Sequence, residues 1–204
     1  MVDSTMVEKS LVNKFIDYLK SRQLSNVWFR KNYVVRSARF FPRQPEIDLI
    51  YVLKGDGGRG LQVFAAEVKY IRLTKDRQAS HSYYEGLDEA LALLILGFDR
   101  ALLIHLIDSE LLETVLLEAI RLLPMLVKCM GLPIGYRVYS VSRHGAAVSF
   151  YTGVGRGNTY IDLKKLWADP PPNPLLSTGN PLYKLVKGNR DLLIDSLGLH
   201  ELSG

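Results

Sequence analysis

The hexamer GDGGRG, residues 55–60, separates two apolar runs, Ile47 to Leu53 and Leu61 to Tyr70. Four glycines in six residues permit the positive φ angles of a tight return, and the flanking runs are rich in β-branched and aromatic residues. The segment therefore predicts a β-hairpin whose pairing is fixed by its loop. If Lys54 faces Leu61, the numbers of opposed residues sum to 115, and Asp48 faces Glu67. Directly opposed residues leave the same face of a sheet with Cβ atoms about 5 Å apart. Lys69, two residues beyond Glu67, shares that face. Two carboxylates and an ammonium thus converge on strands otherwise patterned for burial, where charge is seldom carried without a partner or a purpose.

Like charges opposed on a sheet repel, so the acid pair requires a compensating cation, either Lys69 or a metal ion. Carboxylate oxygens suit Mg2+ or Mn2+, ions that keep most of their waters and accept phosphate oxygens as further ligands. A formal net charge of +5 over 204 residues favours an anionic partner such as nucleic acid. The first 44 residues carry nine basic side chains, Arg36 and Arg39 among them, against three acids, interleaved with Trp28, Phe29, Tyr33, Phe40 and Phe41. That mixture suits phosphates and stacked bases, although the aromatics read equally as core. Arg72, Lys75 and Arg77 continue the basic character beside the proposed site.

The rest of the chain supplies a scaffold. An amphipathic helix is predicted from about Met6 to Leu24, with Ser4 or Thr5 as N-cap. A strand region spans Val27 to Phe41, broken near Lys31 and Asn32. After the hairpin come a helix over Gln78 to Gly97, a buried strand over Arg100 to Ile107, a helix over Ser109 to Met130 with Pro124 inside it, and a strand pair at Tyr136 to Val141 and Ala147 to Thr152. This order, α-β-β-β-α-β followed by α-β-β, predicts an α/β fold: a mixed β-sheet flanked by helices. The body runs over residues 1–168. Residues 169–204 form a Pro-rich linker and a helical arm that docks on the body or crosses to a second subunit.

At Pro45, Glu46, Ile47 and Asp48, followed after eighteen residues by Glu67, Val68 and Lys69, the chain resembles the PD-(D/E)XK nuclease superfamily. This is the restriction-endonuclease-like fold that includes archaeal Holliday-junction resolvases and repair exonucleases. The resemblance covers residues 6 to 107, with Glu46 standing between the proline and the aspartate. It implies a hydrolase that cleaves nucleic acid, DNA first among its substrates, with Mg2+ or Mn2+ as cofactor. It also implies metal ligation by Asp48, Glu67 and the Val68 carbonyl, with Lys69 orienting or activating the attacking water. Family members add an acid from the first helix, for which Glu8 is the candidate here, and a glutamine after the lysine, for which Gln78 stands in the right region. Paired subunits are known in the family, and a homodimer joined through the arm is the corresponding expectation. The alternative reading is a nucleic-acid-binding or assembly protein on the same fold without turnover.

Other chemistries fare worse. Cys129 stands alone, which excludes an intrachain disulfide and a cysteine cluster, fits a reducing cytoplasm, and reads as a buried small hydrophobe. His81, His105, His144 and His200 show no metal spacing, and His105 reads as a satisfied core histidine. Residues 153–158, GVGRGN, lack the context of a phosphate loop and read as a turn. Neither an export signal nor a membrane-spanning run is legible.

Overall fold

A computed structural model of the chain describes residues 4–21, 27–35, 45–54, 61–72, 84–111, 116–144, 147–152 and 170–200. Among them, the strands β1 (Val27–Val34), β2 (Glu46–Lys54), β3 (Leu61–Ile71), β4 (Arg100–Asp108), β5 (Ile134–His144) and β6 (Ala147–Thr152) form one sheet in chain order. The helices are α1 (Ser4–Ser21), α2 (Leu87–Ile95), α3 (Leu116–Cys129) and α4 (Tyr183–Leu197). The pairs β1–β2, β2–β3 and β5–β6 are antiparallel, whereas β3–β4 and β4–β5, with α2 and α3 between them in the chain, are parallel. The expected mixed sheet flanked by helices, in the expected order of elements, is what the chain adopts.

Strands covered on both faces read as continuous apolar runs, and β4, RALLIHLID, is buried from Ala101 to Ile107. One face packs on α1, where Leu11, Phe15, Ile16 and Leu19 meet Phe64, Ala66, Val68 and Leu102. The opposite face carries Val63, Ala65, Ala101 and Leu103 beneath α2 and α4. Among the described residues, no helix is long and apolar enough to cross a membrane.

Three expectations need correction, and a fourth, left open between two placements, is decided. Helix α1 already includes Ser4 and Thr5, so neither is its N-cap. The helix expected from Gln78 begins, within the described residues, only at Leu87. Cys129 is exposed at the end of α3, because the buried side of that helix runs through Leu123 and Val127 instead. Of the two placements expected for the C-terminal arm, the described residues take the one on the chain's own body. Val186, Leu193 and Leu197 of α4 are buried in the chain's own core, and buried Asn173 donates to the carbonyls of Leu94 and Phe98, 2.8 Å each. Glycine makes the docking possible. A Cβ at Gly97, where φ is +94°, would lie 2.5 Å from the backbone nitrogen of Arg190.

Candidate functional site

The hairpin register sets the site. Opposed residues in β2 and β3 run from Lys54↔Leu61 to Leu49↔Ala66, every pair summing to 115 as the loop predicts. The ladder stops there, one step before Asp48 and Glu67. Beyond it β2 stays with β1, down to Val34↔Glu46, while β3 stays with β4, up to Ile71↔Ile107. The sheet therefore divides, and Asp48 stands in the fork. Its Oδ2 accepts a hydrogen bond from the Val68 backbone N–H at 2.9 Å, in the place a β2 carbonyl would take if the ladder continued.

Around Asp48 the remaining groups gather. The Glu67 carboxyl is 9% exposed, shares a hydrogen bond with the Asp48 carboxyl, and lies 2.9 Å from Lys69 Nζ. Lys69 Nζ also contacts Glu89, in the first turn of α2. Gly86, with φ at +79°, precedes that turn, and a Cβ there would come within 2.9 Å of Lys69 Cγ. Glycine thus leaves room for the lysine stem. His105 pairs with Lys69 across β3 and β4 and is fully buried. Its Nε2 bonds the Glu85 carbonyl at 2.9 Å, which only a donor can do, and its Nδ1 accepts from the Tyr136 hydroxyl at 2.8 Å. His105 is the satisfied core histidine the sequence suggested, and it ties the approach to α2 to β4, the neighbour of the strand that carries Lys69.

Asp48, Glu67, Lys69 and Glu89 line a cleft of about 550 Å³ between α1 and α2. Its walls bear the carboxylates of Glu46, Asp48, Glu67, Asp88 and Glu89 against the ammonium groups of Lys9 and Lys69. Burial raises the Asp48 carboxyl above its ordinary range, more than the Val68 N–H and the Lys69 charge lower it. Burial, with Asp48 beside it, pushes the Glu67 carboxyl up to about 10. Burial pulls Lys69 down, but Glu67 and Glu89 outweigh it and hold the ammonium above its ordinary range. Burial likewise raises Glu89, yet its hydrogen bonds to Glu67 and Lys69 win and leave it below the ordinary range. At neutral pH the Asp48–Glu67 pair therefore retains a proton, and Glu89 balances the charge of Lys69.

Of the residues expected at the site, Asp48, Glu67, Val68 and Lys69 come together. Glu46 ion-pairs with Lys9 of α1 at 2.9 Å, which leaves Asp48 as the acid against β3. Glu8 lies in the first turns of α1, with its side chain outside the described residues. Arg72 is half-buried just past the end of β3. Arg36, Arg39, Lys75, Arg77 and Gln78 fall outside the described residues. The described aromatics of the basic N-terminal region are packed: Phe29 against the α1 face, Trp28 and Tyr33 against the opposite one. Glu89 was not foreseen. Its only signal is the Asp88-Glu89 pair after Gly86, which reads equally as acids favoured by a helix N-terminus.

Among the described residues, no group of three or more His, Cys, Asp or Glu side chains is arranged to hold a metal ion. No protein-family model and no curated protein matches this sequence.

Proposed function

We propose that the chain is a divalent-cation-dependent nuclease of restriction-endonuclease-like type, acting on nucleic acid and on DNA first. The observation that carries this reading is the buried Asp48–Glu67 carboxyl pair, in a fork of the sheet, with Lys69 beside it and a cleft before it. A structural pair of this kind gains nothing from facing a cleft. A pair that exchanges its shared proton for a cation does.

The donor set fits Mg2+ or Mn2+: Asp48 and Glu67 would offer two hard-oxygen carboxylates and Val68, next to Glu67 in the chain, a backbone carbonyl, with solvent or phosphate oxygens left to complete the shell. When bound, the ion supplies a water of lowered pKa and draws charge from the phosphoryl oxygens. Asp48 and Glu67 supply the negative charge that holds the cation, and release their shared proton as they do so. Lys69, kept protonated by Glu89, serves as a hydrogen-bond donor to the water or to a phosphoryl oxygen rather than as a base. The acidic cleft repels phosphate until a cation is present. That feature disfavours the alternative of a binding module without turnover, which has no use for repelling carboxylates.

The test is a panel of duplex, single-stranded and branched DNA and of RNA, incubated with purified protein in Mg2+, in Mn2+ and in chelator. Cleavage in either ion that is lost in Asp48→Asn and Glu67→Gln supports the reading. Cleavage by both variants at the wild-type rate, or tight salt-dependent binding without cleavage by the wild type, overturns it.

A further inference from the structure

We infer that Asn32 is the positioning residue that places Asp48, and that it acts through its left-handed backbone rather than through its amide. The reading of the site given above supplies the catalytic consequence; the geometric content stands apart from it. Among described non-glycine residues, Asn32 alone has positive φ, at +50°. Asn is the residue type, after Gly, that adopts this conformation most readily, and a β-branched side chain is a clear outlier there. Opposed residues in β1 and β2 sum to 80 throughout, yet the ladder passes from Lys31↔Leu49 to Tyr33↔Ile47 without an Asn32↔Asp48 pair. The residue opposite Asp48 is thus the one turned out of the extended conformation.

The consequence appears in which face each neighbour joins. Side chains of a regular strand alternate, so Phe29, Lys31 and Tyr33 share one face, as do Ile47, Leu49 and Tyr51. Phe29 packs on the α1 face and Lys31 bonds Asp17 of α1 at 2.9 Å, but Tyr33 joins the opposite cluster and bonds Ser196 of α4. Leu49 and Tyr51 lie on the α1 face, but Ile47 joins the opposite cluster with Ile50 and Val52. Both strands invert their alternation at one step, and the step is Asn32 and Asp48. A side chain at such a step is free of the perpendicular stance of a pleated strand. The Asp48 carboxylate lies across the sheet instead, against the Val68 N–H at 2.9 Å. No residue is added to either strand, so the pairing resumes in the same register, through Val35 N–H donating to the Pro45 carbonyl at 3.1 Å.

The experiment compares Asn32→Val, Asn32→Gly and wild type in two readouts. The first is amide hydrogen exchange at Val68 without metal, with Val63, whose N–H bonds Asp99 at 2.7 Å, as reference for global stability. The Asn32 amide donates to Asn13 Oδ1 of α1 at 3.0 Å. Asn32→Val should speed exchange at Val68 about tenfold relative to Val63, whereas Asn32→Gly, which adopts positive φ freely and loses that amide bond, should match wild type. The second is the rise in Tm on adding Mn2+, where Asn32→Val should need about 10–100-fold more ion for the same rise and Asn32→Gly should not. Unchanged Val68 exchange in Asn32→Val overturns the inference, as does an Asn32→Gly that behaves like Asn32→Val, because the side chain and not the backbone would then matter. A wild type that ignores Mn2+ in Tm and in cleavage sinks the nuclease reading instead, and leaves the exchange comparison to decide the role of Asn32.

Discussion

Two charge clusters lie at opposite ends of β3, and their contrast separates holding a fold together from preparing a reaction. At one end Asp99 meets Arg190 of α4 in a bidentate pair, both contacts 2.9 Å, and its Oδ2 also accepts the Val63 N–H while Arg190 reaches the Leu61 carbonyl. One anion faces one cation, and the hydrogen-bonding groups between them are spoken for. At the other end Asp48, Glu67 and Glu89 surround Lys69, three carboxyls to one ammonium, and a retained proton meets only part of the deficit. The balanced cluster closes a seam. The unbalanced one faces a cleft and has a proton to exchange.

The contrast is broken most forcefully at the unbalanced end. Asp48→Asn and Glu67→Gln should each lower metal-dependent cleavage by about 10³-fold or more, measured at saturating ion and substrate, while the Tm of the metal-free protein at neutral pH holds or rises because a buried neutral amide needs no proton taken up from solvent. At the balanced end the signs reverse. Arg190→Ala should cost about 3 kcal/mol in chemical denaturation, since Asp99 is left without its cation, with cleavage at low temperature retained. A third measurement sharpens the difference through pH. Because the folded protein holds Asp48 and Glu67 above their unfolded values, it binds protons that the unfolded chain has released. Without metal, stability should therefore be fully present below the ordinary carboxylate value and be lost as pH climbs from there towards about 10. Urea titrations should show a slope of at most about 1.4 kcal/mol per pH unit for each group, removed for its own share by Glu67→Gln. The smallest effect serves as control: Lys187→Met breaks the exposed pair with Asp191 one helical turn on and should cost about 0.5 kcal/mol or less.

What the sequence disclosed, and what it withheld, follows from how local each determinant is. The β2–β3 register was legible because six loop residues fix it, and the stripe Leu11, Phe15, Ile16 and Leu19 because the helical period does. The fork was not legible, since nothing in the strand pattern marks where a ladder stops. A break was expected near Lys31 and Asn32, but not its form: the pairing is kept and the faces are exchanged, which period-two reasoning cannot express. Alternation along the strand would put Ile47, Leu49 and Tyr51 on one face, and the structure keeps Asp48 near Glu67 while that alternation fails next door at Ile47. For α4 the sequence leaves the body and a second subunit open, because the choice depends on partners far away in the chain, Gly97 and Asp99 for Arg190 and Tyr33 for Ser196. Glu89 meets Lys69 across a crossover, so that contact, too, has no local signature.

The docking of α4 also has a temporal side. Arg190 bonds partners 91 and 129 residues earlier, and Tyr33 finds Ser196 at a separation of 163. As the chain emerges from a ribosome, β1 to β4 and α2 are complete while the apolar patch that α4 will cover, around Leu93, Leu96 and Phe98, still waits for residues 183–197 to be made. For that interval the nascent protein presents an adhesive surface, and contacts of such long range close late and slowly. Demand for a holdase chaperone should therefore fall only when translation passes α4, and a stalled chain that ends before Tyr183 should be the species that aggregates.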